Sequence, residues 1–261
     1  MCKVICICNQ KGGVAKTTST VNLGVGLAME GNRVLLIDDD PQGSLTASLG
    51  YVEPDDIRET LATVMMNIIN EEDFKPREGI LHHMENVDLL PANIELSALE
   101  LTMASIVSRE MILREYIEMM RAYYDYILID CMPSLGIMTI NALAAADSVI
   151  IPVQAAYLPV KGLQQLIRTI FMVKKRLNRK LSIGGILLTM VDKRTNYAKD
   201  IYSKVRETYG KQIHIFKSLI PVSVKAAETS AEGISIFRYY PKNQVAIAYK
   251  ELTMEVLQYE N

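Results

Sequence analysis

The sequence predicts an α/β fold: a mostly parallel, twisted sheet with helices on both faces. Three observations lead there. Short, continuously apolar runs recur at residues 3–8, 33–38, 126–130, 148–153 and 183–190, the pattern of strands buried on both sides rather than of strands with one wet face. Segments of helical periodicity lie between them, and strands alternating with helices build parallel sheets through crossovers. Two of the runs end in aspartate, at Asp38 and Asp130, as expected where a strand's carboxyl end opens onto a site.

Taken in order, residues 3–8 form the first strand, residues 9–15 a polar, glycine-containing turn, and residues 16–29 a helix carrying Val21, Leu23, Val25, Leu27 and Ala28. That is strand, loop, helix. Residues 33–38 are the second strand. The stretch 52–85 is charged and Met-rich; it is the least regular part and is expected to add peripheral helices, with Met65, Met66, Ile68 and Ile69 packing rather than meeting a partner. Helical patterns follow at about 94–107, 110–122, 136–146, 160–178, 196–209 and 243–258.

With 261 residues, 49% of them hydrophobic, the chain can bury the core of one domain spanning 1–261. Its longest apolar stretches fall well short of the roughly 20 residues that span a bilayer. The opening MCKVICIC enters a strand directly, without the segments of a signal peptide, so a cytoplasmic location is expected. Cys6 and Cys8 share one strand face. Without C-x-x-C spacing, these two, Cys2 and Cys131 are expected to be small buried thiols without chemistry. His82 and His83 have no ligand cluster at metal spacing and are expected to be ordinary histidines. The net charge of −2 hides a split: residues 1–130 carry 10 Lys+Arg against 21 Asp+Glu, residues 131–261 carry 18 against 9. Such a split suits a basic face for a polyanion, or simply a solvated surface.

The segment NQKGGVAKTT at 9–18 stands where a nucleotide loop has to be, between first strand and first helix. Successive backbone amides and a helix N-terminus form an anion-binding concavity, and glycines let the backbone approach phosphate oxygens. The candidate contacts are Lys11, Gly12, Gly13, Val14, Ala15, Lys16, Thr17 and Thr18. Lys16 would reach the β- and γ-phosphates and the Thr17 hydroxyl would ligate Mg²⁺. The common pattern G-x-x-x-x-G-K-[ST] is not met, because Gln10 and Ala15 stand at its two glycine positions.

The segment instead resembles the deviant Walker A sequence K-G-G-x-x-K-[ST] of the ParA/MinD family, a branch of the P-loop NTPases. The resemblance makes Lys11 the signature lysine, which in that family reaches phosphates bound by the opposing subunit and so implies an ATP-dependent homodimer. Ala15 replaces the usual glycine, and its methyl would cost loop freedom if that position needs positive φ. DDDPQG at 38–43 matches the family's D-x-D-P-Q-G; the resemblance gives Asp40 the attacking water, with a share in the metal site, and puts Asp38 near the phosphates. A plain acidic turn capping the next helix is the alternative. DYILIDCMPSLG at 125–136 resembles the Walker B strand, so Asp130 is expected to hold Mg²⁺, with Met132 in place of proline. The likeness extends through Pro152-Val-Gln154, residues 185–195 and residues 220–228, nearly the whole chain. It makes Met190 and Pro221 adenine contacts by position. Ala156 before Tyr157, and Lys161, depart from the acidic residues common there.

Members of the family bind DNA without sequence preference through basic residues of the C-terminal half. Here the candidates are Lys193, Arg194, Lys199, Lys204, Arg206 and Lys225, with Arg238 and Lys242 beyond. The run 174–180, KKRLNRK, is first a solvated helix end. The resemblance implies an ATPase of DNA partition, nucleoid-associated and stimulated by a ParB-like partner. A MinD-like membrane regulator would need a basic amphipathic C-terminal helix, and the chain closes EVLQYEN. A small-molecule ATP-dependent enzyme of the same fold, such as a dethiobiotin-synthetase-like ligase or a reductase ATPase like nitrogenase iron protein, is the other alternative.

Overall fold

The computed structural model describes residues 1–155, 160–192 and 196–260, with side chains at 1–155, 162–192 and 200–259. The first strand, β1 (Lys3–Ile7), leads through the glycine-containing turn into α1 (Lys16–Met29). Then come β2 (Val34–Asp39), the short α2 (Ser44–Ser48), α3 (Leu61–Ile69), and a small antiparallel pair, β3 (Leu81–His82) and β4 (Val87–Leu90). The helices α4 (Glu95–Thr102) and α5 (Ile112–Met120) precede β5 (Tyr126–Cys131), and α6 (Ile137–Ala145) precedes β6 (Ser148–Gln154). The chain continues as α7 (Val160–Arg176), β7 (Ser182–Thr189), α8 (Asn196–Tyr209), α9 (Val224–Glu232), α10 (Ile236–Tyr239) and α11 (Gln244–Glu260).

Among the described residues the sheet has seven strands in the order β3-β4-β2-β5-β1-β6-β7, all parallel except β3. Strands β2, β5 and β6 are buried along almost their whole length, which is why they read as unbroken apolar runs. Alternation divides each strand between two cores. Ile5, Ile7, Leu36 and Leu128 face α1, α10 and α11, whereas Val4, Cys6, Leu35, Ile37, Ile127 and Ile129 face α3 to α8. Helix α1 lies close on the sheet because Gly24 leaves room for Leu36 of β2, and α11 lies close on α1 because Gly26 leaves room for Thr253.

Two expectations need correction. The stretch 52–85 is not merely peripheral: Leu61, Ala62, Val64 and Met65 of α3 are buried in the core, because an amphipathic helix starts after Thr60, whose amide donates to the Thr63 hydroxyl. The helix expected at about 94–107 ends at Thr102, and a 3₁₀ turn at Met103–Ser105 follows.

Candidate functional site

The carboxyl ends of β1, β2 and β5 meet beneath the N-terminus of α1. In-register pairing of β2 with β5 sets Asp38 directly beside Asp130, and β1 pairs Ile7 with Asp130. Three neighbouring strands therefore deliver the loop 9–18 and two aspartates to one spot, in the crevice where open α/β sheets bind ligands.

The loop is held by polar ties on both sides. Asn9 donates from Nδ2 to the Pro152 carbonyl at 2.6 Å and accepts the Lys11 amide on Oδ1 at 2.9 Å. Thr189, at the end of β7, donates its hydroxyl to the Val14 carbonyl at 3.0 Å. Gly13 (φ 68°) and Ala15 (φ 62°) are both left-handed, and Ala15 is the N-cap of α1. That cap contributes no side-chain hydrogen bond and the first turn holds no acidic residue, so the leading amides of α1 and its positive dipole end face the loop's concavity. Gly12 and Gly13 have open space where a side chain would stand.

The two lysines of the loop occupy different surroundings. Lys16 is buried, and its Nζ donates to the Lys11 carbonyl at 3.3 Å. Lys11 is exposed, and its Nζ reaches Gln154 Oε1 at 3.3 Å, on the rim of the loop rather than over it.

Behind the loop, the Thr17 hydroxyl donates to Asp130 Oδ2 at 2.6 Å and the Thr20 hydroxyl to Asp130 Oδ1 at 3.2 Å. Burial pushes the Asp130 carboxyl up to about 7, against the opposing pull of Thr17 and the Lys16 ammonium. Asp38 is pushed to about 8 by burial and by its neighbour Asp130. Its Oδ2 accepts the Thr46 amide at 2.8 Å and the Thr46 hydroxyl at 2.7 Å, so it anchors the start of α2. Asp40 is half-buried just past the strand, with the Gln42 amide on Oδ1 at 3.0 Å, and its charge acts on both Asp38 and Asp130.

A hydroxyl and a buried carboxylate facing one another form a set of hard oxygen donors that suits Mg²⁺. Thr17 and Asp130 fit that ion.

Met190 (φ 52°) and Pro221 stand on neighbouring segments at the end of β7, joined through the Val191–Pro221 bridge and the Val191 amide on the Ile220 carbonyl at 2.9 Å. Of the basic candidates, Lys204 and Arg206 are exposed on α8, Lys225 on α9, Arg238 on α10 and Lys242 in the turn that follows. Lys225 is engaged: its Nζ lies 2.7 Å from Glu228 and 5.8 Å above the Tyr239 ring. Ala156, Tyr157, Lys193 and Arg194 lie outside the described residues, as do the side chains of Lys161 and Lys199.

Sequence reasoning passed over Asn9, Thr20, Thr46 and Thr189, whose side chains hold the loop and the aspartates. Asn9 and Thr20 flank the motif and could have been suspected from hydrogen-bonding capacity alone; Thr46 and Thr189 become visible only through the pairing of distant segments.

Comparisons with known proteins identify the family and the fold. A family model described as an AAA domain, AAA_31, matches residues 2–183. The sporulation initiation inhibitor protein Soj of Bacillus subtilis is 42% identical over 256 residues, 98% of each chain. The chromosome partitioning protein ParA of Myxococcus xanthus is 40% identical over 98% of this chain and 88% of its own length. Among solved structures, cobyrinic acid a,c-diamide synthase of Mycobacterium smegmatis with bound ADP and magnesium superposes with a TM-score of 0.87 at 35% identity, covering 99% of this chain and 95% of that one. Fold, loop and near-full-length identity coincide: the chain belongs to the ParA/Soj family and is an ATPase of the partition type.

Proposed function

We propose that this ATPase closes as a homodimer around ATP and Mg²⁺, grips DNA without regard to sequence through its C-terminal basic surface, and lets go when hydrolysis opens the dimer. A ParB-like partner would stimulate that last step, and the protein would work in the cytoplasm on the nucleoid. The observation that carries this reading is the division of labour between the loop lysines. Buried Lys16 points inward at its own cradle, while exposed Lys11 lies on the rim beside Gln154 and would turn from it to phosphates held by a second copy.

The residues divide the work as follows. The loop amides and the α1 dipole bind the triphosphate oxygens, and Lys16 adds a fixed positive charge close to the β- and γ-phosphates. Thr17 and Asp130 would hold Mg²⁺, which neutralises charge on the transferred phosphoryl group. Asp40 orients the attacking water, a contribution of positioning more than of bond making. Met190 and Pro221 border the place for the adenine. Lys204, Arg206 and Lys225, with Lys193, Arg194 and Lys199, supply cations for DNA phosphates, so binding should weaken steeply with salt.

A second reading is favoured by the synthase superposition, whose named activity concerns a small molecule. One experiment separates the two: DNA binding measured with ATP, with ADP and without nucleotide, alongside sedimentation. The partition reading expects dimers and DNA affinity with ATP only. Dimers that form with ATP yet ignore DNA at low salt would transfer support to the small-molecule reading.

A further inference from the structure

We propose that Cys6, Cys8 and Cys131 form a binding site for a thiophilic divalent cation of the Zn²⁺ class, on the sheet face opposite α1. Their three Sγ atoms all lie within 4.8 Å of one another, and all three residues are buried. A tetrahedral ion with metal–sulfur bonds of about 2.3 Å separates its sulfurs by about 3.8 Å, so the triad already approaches the required spacing. The Cys6 and Cys131 sulfurs, now 3.1 Å apart, would have to open slightly.

The convergence comes from strand register, not from a loop motif. Ile7 of β1 pairs with Asp130 of β5, which sets Cys8 beside Cys131 one step further on, and Cys6 precedes Cys8 by two residues on the same face. A second observation is independent of the sulfurs. Asp39 pairs in register with Cys131 from the other side, is fully buried, and has no hydrogen-bond partner on either carboxylate oxygen. A buried carboxyl without partners is costly, and the fourth position that three thiolates leave open on a tetrahedral ion would give it one.

Donor chemistry keeps this site apart from the one above it. Sulfur selects thiophilic ions, whereas the hydroxyl and carboxylate of Thr17 and Asp130 suit Mg²⁺. Each thiol that becomes a ligand releases its proton to solvent. Cys8, Asp39 and Cys131 immediately adjoin Asn9, Asp38 and Asp130 in the chain. An ion here would tie the carboxyl ends of β1 and β5 together directly under the nucleotide machinery.

The test uses the full chain, stripped with chelator under reducing conditions and titrated with Cd²⁺. The expected result is one ion per chain, a sulfur-to-cadmium charge-transfer band in the ultraviolet, and a higher thermal midpoint, with the band lost in Cys131→Ser and in Cys6→Ser. If those variants do not fold, X-ray absorption on the Zn²⁺-loaded parent chain decides. Sulfur neighbours at about 2.3 Å support the site. A shell of nitrogen and oxygen alone would put the ion elsewhere, for instance on the exposed His82–Asp88 pair, and overturn the proposal, as would a parent chain that shows neither band nor thermal shift.

Discussion

Ala15 and Gly13 offer a matched test of the loop, because they hold nearly the same backbone conformation, φ 62° and φ 68°, with and without a Cβ. A left-handed conformation costs an L-residue about 1–2 kcal/mol. Glycine avoids that cost but loses about 0.4–1 kcal/mol of chain entropy on folding relative to alanine. The net favours glycine at both positions by about 1 kcal/mol. Ala15→Gly is therefore expected to stabilise the nucleotide-free chain by that amount, raising the thermal midpoint by about 2–4 °C for a domain of this size. Gly13→Ala has no atom within 4 Å of the added methyl, so its cost is purely conformational and is expected to be about equal and opposite. Gly12→Ala also meets open space, but without positive φ, and so serves as the control, neutral or slightly stabilising. Urea unfolding of the four chains without nucleotide is the assay, since any ligand would add its own binding energy to the folded state. If Ala15→Gly left stability unchanged or lowered it while Gly13→Ala lowered it, residue 15 would not be held left-handed and the cap geometry would be wrong.

Burial of Asp38 makes a pH prediction. Its folded value of about 8 lies above the ordinary carboxylate value of about 3.9, so the native chain keeps a proton that the unfolded chain has released. The stability linked to that proton is complete below about pH 4 and is lost as the pH rises toward about 8. The stability difference between the parent and Asp38→Asn is expected to turn against the parent from pH 5 to 8 in urea unfolding; a flat difference would show that Asp38 is charged throughout. Lys16→Ala is expected to abolish ATP binding by calorimetry, and retained affinity would detach Lys16 from the phosphates. Asp40→Ala is expected to keep ATP binding while turnover falls at least tenfold, about 1.4 kcal/mol in the barrier, and normal turnover would remove its assigned role. Reversing charge at Lys204 and Arg206 together is expected to reduce the salt slope of DNA binding by roughly 2; an unaltered slope would move the DNA surface off α8.

The parallel sheet was legible because strands buried on both faces must be apolar throughout, as in residues 34–37 and 126–129. The cradle was legible because phosphate is bound by consecutive amides, a feature of local chain. β4 was not, since four residues flanked by turns carry too little periodicity, and only pairing with β2 makes them a strand. Helices α9 and α10 were missed for a related reason: Thr229 and Ile236 are the main buried residues they offer, so no apolar stripe announces them.

The sequence by itself determined that β1, the loop and α1 follow one another, which lysines and threonine the loop carries, and that Asp38 and Asp130 close two strands. Tertiary structure alone decided that these aspartates stand side by side with raised proton affinity, that Ala15 is left-handed, that Thr189 secures the loop from the end of β7, and that three cysteines from two strands meet beside Asp39. Backbone amides act on a phosphate through neighbours in the chain. Side chains meet through strand register, which joins residues more than 90 positions apart and leaves no local trace.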